Sequence, residues 1–403
     1  MISFENAGKL VLDSVSPLPP VILPLLQSLG MISAGTVAAR FNLPAFDNSA
    51  MDGYAVRTCE CAFLMELPVI ASVMAGESIL TDSPAMVAIK IMTGAPIPPG
   101  FDAVIPFEEI LKEEDGRITI PSGVKAGQHI RFAGEDLKQG DAVIAKGTLI
   151  RAAEVSMLAA CGVTTISVFR RVRVAILSTG DELVEFGQPL IEGKIVNSNA
   201  PALAAAVMEA GGESIMLGIA ADTLESLKEK ISLGLKYDVL VTTAGVSAGE
   251  RDLVREVLES EGVDQLFWKV AIKPGGPTAF GMKGCVPVFS LPGNPVSSML
   301  TFEFFVRPAL LRMMGHSAVS RPVFKGILDE DIAKKEGKSG IVRLKVQRDG
   351  GIFRLSSAGN QQTGLQRTLL NADAVAVLPS DCGVVTKGQT IDFCFMHEMS
   401  MMV

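Results

Sequence analysis

The chain has 403 residues, 48% of them hydrophobic, with a formal net charge of -8, a pI near 5.2 and a mean hydropathy of +0.37. This length exceeds what one hydrophobic core usually serves, since single cores stop growing near roughly 250–300 residues, so several domains are expected. The acidic balance excludes a protein whose main task is holding phosphate backbones, and the most apolar stretch, "VILPLLQSLGMI", is too short for a bilayer and is interrupted by Pro24, Gln27 and Gly30.

In chain order, "MISFENAGKLVLDSV" places Phe4, Ala7, Val11 and Ser14 at helical spacing, with Glu5, Lys9 and Asp13 between them. The pattern predicts an amphipathic helix, not a signal peptide. Residues 40–140 are rich in proline, glycine and short apolar runs such as "PVIASVMAGE" and "GRITIPSG", which predicts a β-rich domain. Residues 141–170 return to an apolar helix, "AAEVSMLAACG", and a strand, and together with residues 1–39 they read as an N-terminal helix and stalk domain.

Residues 171–317 alternate strand and helix patterns: "RVRVAILS", "APALAAAVMEAGG", "SIMLGIA", "TLESLKEKISLGL", "YDVLVTT", "LVREVLESEG" and "VPVFSLPGNP" before a long helix. The fold class expected is therefore multidomain α/β and β, built on a doubly wound, mostly parallel α/β domain. Residues 318–403 read as a small all-β, barrel-like domain. The six cysteines (Cys59, Cys61, Cys161, Cys285, Cys382, Cys394) are scattered with no C-x-x-C, and the three histidines lie far apart. This reads as a reduced, cytoplasmic protein without a structural zinc site.

In a doubly wound domain ligands bind outside the carboxyl ends of the strands. Here those ends carry "STGDE", "AAD", "TTAGVSAGERD" and "LPGNP", which bring Asp181, Glu182, Asp222 and Asp252 toward one rim, with Lys269 and Lys273 arriving from "FWKVAIKPGGP". Carboxylates gathered at one edge repel unless a cation compensates them. Mg2+ suits this set, because it takes one or two carboxylates and fills its other positions with water and phosphate oxygens. Backbone N–H groups of "AGVSAG", including Gly245 and Ser247, and of the helix start after "LPGNP", including Gly293, can hold anionic oxygens. Ser178 and Gly180 of "STGDE" belong to the same candidate set. A cation beside an anion cradle implies a phosphorylated or pyrophosphate-bearing ligand. Taken singly, these glycines could only permit turns, Asp222 and Asp252 could only cap helices, and Pro292 and Pro295 could only fix a turn. Gathered at successive strand ends, they favour a site. Neither a nucleoside-triphosphate loop nor a dinucleotide fingerprint is present.

These residues resemble a known family. "FDNSAMDGYAVR", "IMTGAPIPPGFDAVIP", "RFAGEDLKQGD", "STGDEL", "AGVSAGERD", "FWKVAIKPGGPTAFG" and "FSLPGNPVSS" follow one another as in the molybdopterin molybdenumtransferases, the MoeA and gephyrin E-domain family, across essentially the whole chain. The resemblance implies an elongated four-domain homodimer with the β-rich domain on a stalk and an α/β domain of molybdopterin-binding type. It implies an enzyme that inserts molybdate into adenylylated molybdopterin and releases AMP with Mg2+, with the pathway's adenylyltransferase as a candidate partner. Position by position, Glu182, Asp222 and Asp252 match the acids aligned with the metal and the departing nucleotide, Lys269 and Lys273 match the cations for phosphate or molybdate, and Pro292 and Pro295 match the pocket wall. Asp52, Thr93 and Asp136 match residues of the β-rich domain that face the same cleft, and this domain is expected to meet the α/β rim of a partner protomer, so that each cleft is shared.

The departures bear on substrate affinity and on the choice between molybdate and tungstate. Ala244 stands where the family has a second glycine, Gly276 where it reads K-P-G-K-P, and Thr363 where it has serine; the family's arginine has no unique place around "GIVRLKV". Two other functions fit the same text: an adenylyltransferase making the nucleotide-linked pterin, and a non-catalytic scaffold that kept the fold.

Overall fold

The computed structural model describes residues 1–61, 65–77, 83–244 and 253–397, which form two compact units. The first holds Met1–Val21, Gly30–Ala34 and Ser167–Val403; the second holds Ile22–Leu29 and Gly35–Ile166.

The larger unit contains a six-stranded sheet in the order Glu213–Ala220, Arg173–Thr179, Val239–Thr243, Val286–Leu291, Ala279–Lys283, Asp264–Phe267. The first four strands run parallel and Ala279–Lys283 runs antiparallel to both its neighbours. Successive side chains of a strand face opposite ways, and the apolar residues sort accordingly. Val174, Ile176, Val239, Val241 and Phe289 pack on one face with Leu203 and Val207 of the helix Asn199–Glu209 and with Leu300, Phe302 and Phe305 of the last helical run. Ala175, Leu177, Leu240 and Val288 pack on the other with Leu227 and Ile231 of Leu224–Gly234 and Val254 and Val257 of Leu253–Ser260. Near-continuous apolar strands are what a sheet covered on both faces requires. Thr223 caps its helix by accepting from the Ser226 N–H at 3.3 Å. The predicted N-terminal helix spans Phe4–Ser14; Ala7 and Val11 are buried and Phe4 stacks edge-on against Phe304.

The C-terminal strands Phe324–Leu328, Ser339–Asp349, Ile352–Ser357, Ala374–Leu378 and Thr390–Phe395 close into a five-stranded barrel, because Ser339–Asp349 pairs with both Ile352–Ser357 and Ala374–Leu378. Its core stacks Phe324, Phe353, Phe393 and Phe395. One added pairing decides where Lys273 goes: Ile272–Lys273 runs parallel to the start of the long barrel strand, Ile272 opposite Ser339 and Lys273 opposite Gly340.

The smaller unit is β-rich, as its proline and glycine content predicts. Its six-stranded sheet has the order Ala103–Pro106, Gly53–Val56, Ala88–Ile91, Met65–Val73, Arg117–Ile120, Lys112–Glu114. The helix Ala152–Ala160 and two short ribbons complete it.

Candidate active site

At the carboxyl ends of the parallel strands lies a cleft of about 870 Å³ lined by Gly180, Glu182, Asn197, Asp222, Ala244, Pro292, Gly293, Pro295 and Gln366, among others. The structure thus brings together the predicted Gly180, Glu182, Asp222, Pro292, Gly293 and Pro295. Gly180 has φ +135, and a Cβ there would lie 2.4 Å from Glu182 Oε2, so the Glu182 carboxylate folds back over the glycine. Asp222 and Asp181 link two strand ends by reciprocal bonds: the Asp222 N–H donates to Asp181 Oδ1 at 3.2 Å and the Asp181 N–H to Asp222 Oδ2 at 3.4 Å. Lys194 Nζ donates to the Asp181 carbonyl.

Ser178 is fully buried beneath the cleft. Its hydroxyl donates to Asn197 Oδ1 and accepts from Thr243 Oγ1, both at 3.1 Å, so it builds the floor and does not line the wall. Asn197, which sequence reasoning missed, lines the cleft with its buried Nδ2 unpartnered among the described residues, a donor available to a ligand. Its position just before a helix start was the only signal. Gly245, Ser247 and Asp252 lie outside the described residues. No cluster of three metal-ligating side chains occurs among the described residues. Glu182 and Asp222 are exposed and form no ion pair with a lysine or arginine among those residues.

Lys273 and Thr363 are placed elsewhere, in a second cleft of about 580 Å³ lined also by Lys334, Lys335, Lys338 and Asn360–Gly364. The barrel pairing pulls Lys273 there. None of its four lysines has a carboxylate within ion-pair distance among the described residues. The two clefts are neighbours, because the segment 273–277 lines the second with Lys273 and Pro274 and the first with Pro277, and the segment 360–366 lines the second with Thr363 and the first with Gln366. Gln366 Nε2 donates to Ser198 Oγ at 3.1 Å, fixing that bridge. Gly276 sits between them, and a side chain added there would begin 4.0 Å from Lys338 Nζ. Lys269 is exposed and lines neither cleft; its carbonyl accepts from the Ile2 N–H at 3.0 Å.

In the smaller unit, "FDNSAMDGYAV" is a built loop. Asn48–Ser49 pairs with Ile130–Arg131, Ser49 Oγ donates to the Met51 carbonyl, and Asp47 Oδ1 accepts from the Ala133 N–H at 2.7 Å. Gly53 is required next, since a Cβ would fall 2.0 Å from the Ile105 carbonyl oxygen. Asp52 is left exposed and accepts from both the Thr93 N–H, at 2.7 Å, and the Thr93 hydroxyl, at 2.8 Å. Those bonds, the backbone one foremost, hold its carboxyl below the usual range. Asp136 is exposed on the strip tied to this loop, its N–H donating to the Leu43 carbonyl at 3.1 Å.

The cleft holding Glu182 and Asp222 at the strand ends thus adjoins one lined by four lysines. The chain matches the MoeA N-terminal region (domains I and II) over residues 2–162, a probable molybdopterin binding domain over 175–312 and the MoeA C-terminal region (domain IV) over 325–395. It is 36% identical to a molybdopterin molybdenumtransferase of Haemophilus influenzae, covering 97% of this chain and 98% of that one. With a namesake from Synechococcus elongatus it shares 34% identity over 97% and 99% of the two chains. A crystal structure of a molybdopterin biosynthesis MoeA protein from Pyrococcus horikoshii superposes with a TM-score of 0.81 at 31% identity, covering 98% of this chain and 100% of the other. With similarity of this kind running through every part of the chain, the protein belongs to the molybdopterin molybdenumtransferase family.

Proposed function

We propose that the protein carries out the last assembly step of molybdenum cofactor biosynthesis: it takes adenylylated molybdopterin, inserts molybdate into the dithiolene and releases AMP. The observation that carries this reading is the adjacency of the two clefts, one acidic at the strand ends and one lined by four lysines, within a chain that matches the family from end to end.

The acidic cleft takes the pterin nucleotide. Glu182 and Asp222 supply hard carboxylate donors with no competing cation among the described residues, a set that fits Mg2+. Bound there, Mg2+ would neutralise pyrophosphate oxygens. Asn197 Nδ2 offers a hydrogen bond, and Pro292 and Pro295 keep the wall stiff. The lysine cleft takes molybdate, with Lys273 and the Thr363 hydroxyl as direct partners and Lys338 supplying the charge that Gly276 lacks. Asp252, Gly245 and Ser247 stay candidates for the nucleotide side.

The active form is a homodimer in which Asp52, Thr93 and Asp136 of one protomer complete the acidic cleft of the other. What supports this is that Asp52, Thr93 and Asp136 fall in one compact unit and Glu182 and Asp222 in the other. The protein works in the cytoplasm, where its cysteines, all unpaired, stay reduced. Asp222→Asn tests the assignment of the acidic cleft: AMP release in the presence of molybdate and Mg2+ should fall at least about a hundredfold, the scale of lost electrostatic stabilisation. Wild-type release by this variant would remove Asp222 from the site.

A further inference from the structure

The loop that joins the two clefts is pinned by a side-chain amide at each end. Gln361 ties one end to the long barrel strand: its Oε1 accepts from the Arg343 N–H and its Nε2 donates to the Arg343 carbonyl, each at 3.0 Å. Gln366 ties the other end to the α/β part, its Nε2 donating to Ser198 Oγ at 3.1 Å, and among the described residues this is the only hydrogen bond that the segment 360–366 makes there. Between the two anchors, Thr363 and Gly364 make no hydrogen bond among those residues. Ser198 stands at the start of the helix Asn199–Glu209, between two residues that serve the acidic cleft. On one side Asn197 carries the buried, unpartnered Nδ2; on the other Asn199 Nδ2 donates to the Gly293 carbonyl at 2.7 Å and so holds the wall loop.

A segment pinned at its ends keeps conformational freedom between them, and ordering it costs entropy. Thr363 lines the lysine cleft and Gln366 the acidic one, so a ligand in either cleft meets the same segment. The ligand that arrives first meets the ordering cost, and the second is spared it. We propose that Gln366 is a positioning residue that couples the two clefts: through its bond to Ser198, an oxyanion held at Thr363 and a nucleotide phosphate held beside Asn197 each tighten the binding of the other. Such coupling is reciprocal by thermodynamic necessity. For the reaction it favours the complex that holds both reactants over a complex with either one alone. The inference rests on reading the two clefts as the nucleotide and molybdate sites, and its test separates the two.

Full-length protein with Mg2+ would be titrated calorimetrically with molybdate, without and with saturating AMP, and with AMP, without and with saturating molybdate. AMP serves as the nucleotide probe because no turnover competes with its binding. In the wild type each ligand should tighten the other by the same factor, about fivefold, the lower end of the usual range for coupled sites. Gln366→Ala and Ser198→Ala should each bring that factor close to one, whatever they do to either ligand alone, and the double variant should go no further. Ser198→Thr keeps the hydroxyl and should keep the coupling. Hydrogen exchange supplies a second readout: AMP should slow amide exchange across 360–366 in the wild type and not in Gln366→Ala protein. Wild-type protein that binds the two ligands independently or in competition overturns the inference and leaves the cleft assignments standing. Gln366→Ala protein that loses AMP affinity but keeps the factor marks Gln366 as a direct nucleotide contact and overturns it equally. Should that variant not fold, Ser198→Ala decides, and retained coupling there overturns the inference. Lys273→Met is the control on the reading itself: weakened molybdate binding upholds the cleft assignment whatever Gln366 does, whereas unchanged binding removes the oxyanion from the lysine cleft and the inference with it.

Discussion

Ala244 closes the strand Val239–Thr243 with φ +70, on the lip of the acidic cleft. A left-handed backbone costs an L-residue roughly 1–2 kcal/mol, because its Cβ crowds the following carbonyl. Glycine removes that cost, while the freer unfolded chain takes back about 0.4–1 kcal/mol. The bond from the residue 244 N–H to the Leu291 carbonyl, 3.2 Å long, survives the change. Ala244→Gly should therefore stabilise the α/β sheet by about 0.5–1 kcal/mol, equivalent to a rise of roughly 1–4 °C in Tm for a domain of this size. Ala244→Val should do the opposite and lose more than about 1 kcal/mol, since a β-branched residue is a true outlier in that region. Scanning calorimetry reads both, with urea midpoints at unchanged slope as the check on cooperativity. Destabilisation by glycine together with tolerance of valine would refute a left-handed Ala244. The departure from the family's glycine would then need another explanation.

Thr93→Val keeps the backbone donor to Asp52 but deletes the hydroxyl, so the Asp52 pKa should rise part of the way to its ordinary value. With a depressed folded pKa the favourable contribution is complete above the unfolded value and disappears as pH falls through the folded one, so in the variant the loss starts at the same pH, is smaller, and is complete at a higher pH; an unmoved carbon-13 NMR titration midpoint for Asp52 would contradict it. Lys273→Met should weaken molybdate binding by roughly 1.5–3 kcal/mol, the worth of a charged hydrogen bond, and wild-type affinity by calorimetry would mark Lys273 as a solvated surface lysine. Asp52→Asn and Asp222→Asn proteins, each impaired alone, should regain AMP release when co-expressed, because a mixed dimer holds one cleft free of both changes. Mixed dimers that stay inactive would sink the shared-cleft proposal.

Much of the site could be read from the sequence because its chemistry sits at predictable places. Alternating apolar strands and capped helices located the parallel sheet, and the polar text at each strand end put Glu182, Asp222 and Pro292 in one cleft. Asp52 stood out because Gly53 follows it, and the backbone approach to Ile105 explains that glycine. The second cleft was not legible. "KKEGKSG" reads as a solvated charge run, and only barrel closure, with Lys273 drawn alongside Gly340, turns Lys334, Lys335 and Lys338 into a wall. Lys273 was accordingly expected on the acidic rim and is found beside it. The family's arginine could be placed only loosely around "GIVRLKV", because an arginine alternating with apolar residues gives no sign of facing inward, as Arg343 does. Register across a barrel is a property of pairing, not of local pattern.

Insertion of molybdate coupled to release of AMP can be read in a single turnover of the purified protein. Adenylylated molybdopterin would be supplied with Mg2+ and either molybdate, tungstate or no oxyanion, with ATP plus molybdopterin as the comparator. Stoichiometric AMP is expected with molybdate, little without oxyanion, and no pyrophosphate from ATP. Intact substrate recovered at saturating molybdate and Mg2+, or pterin-dependent pyrophosphate from ATP, would contradict it.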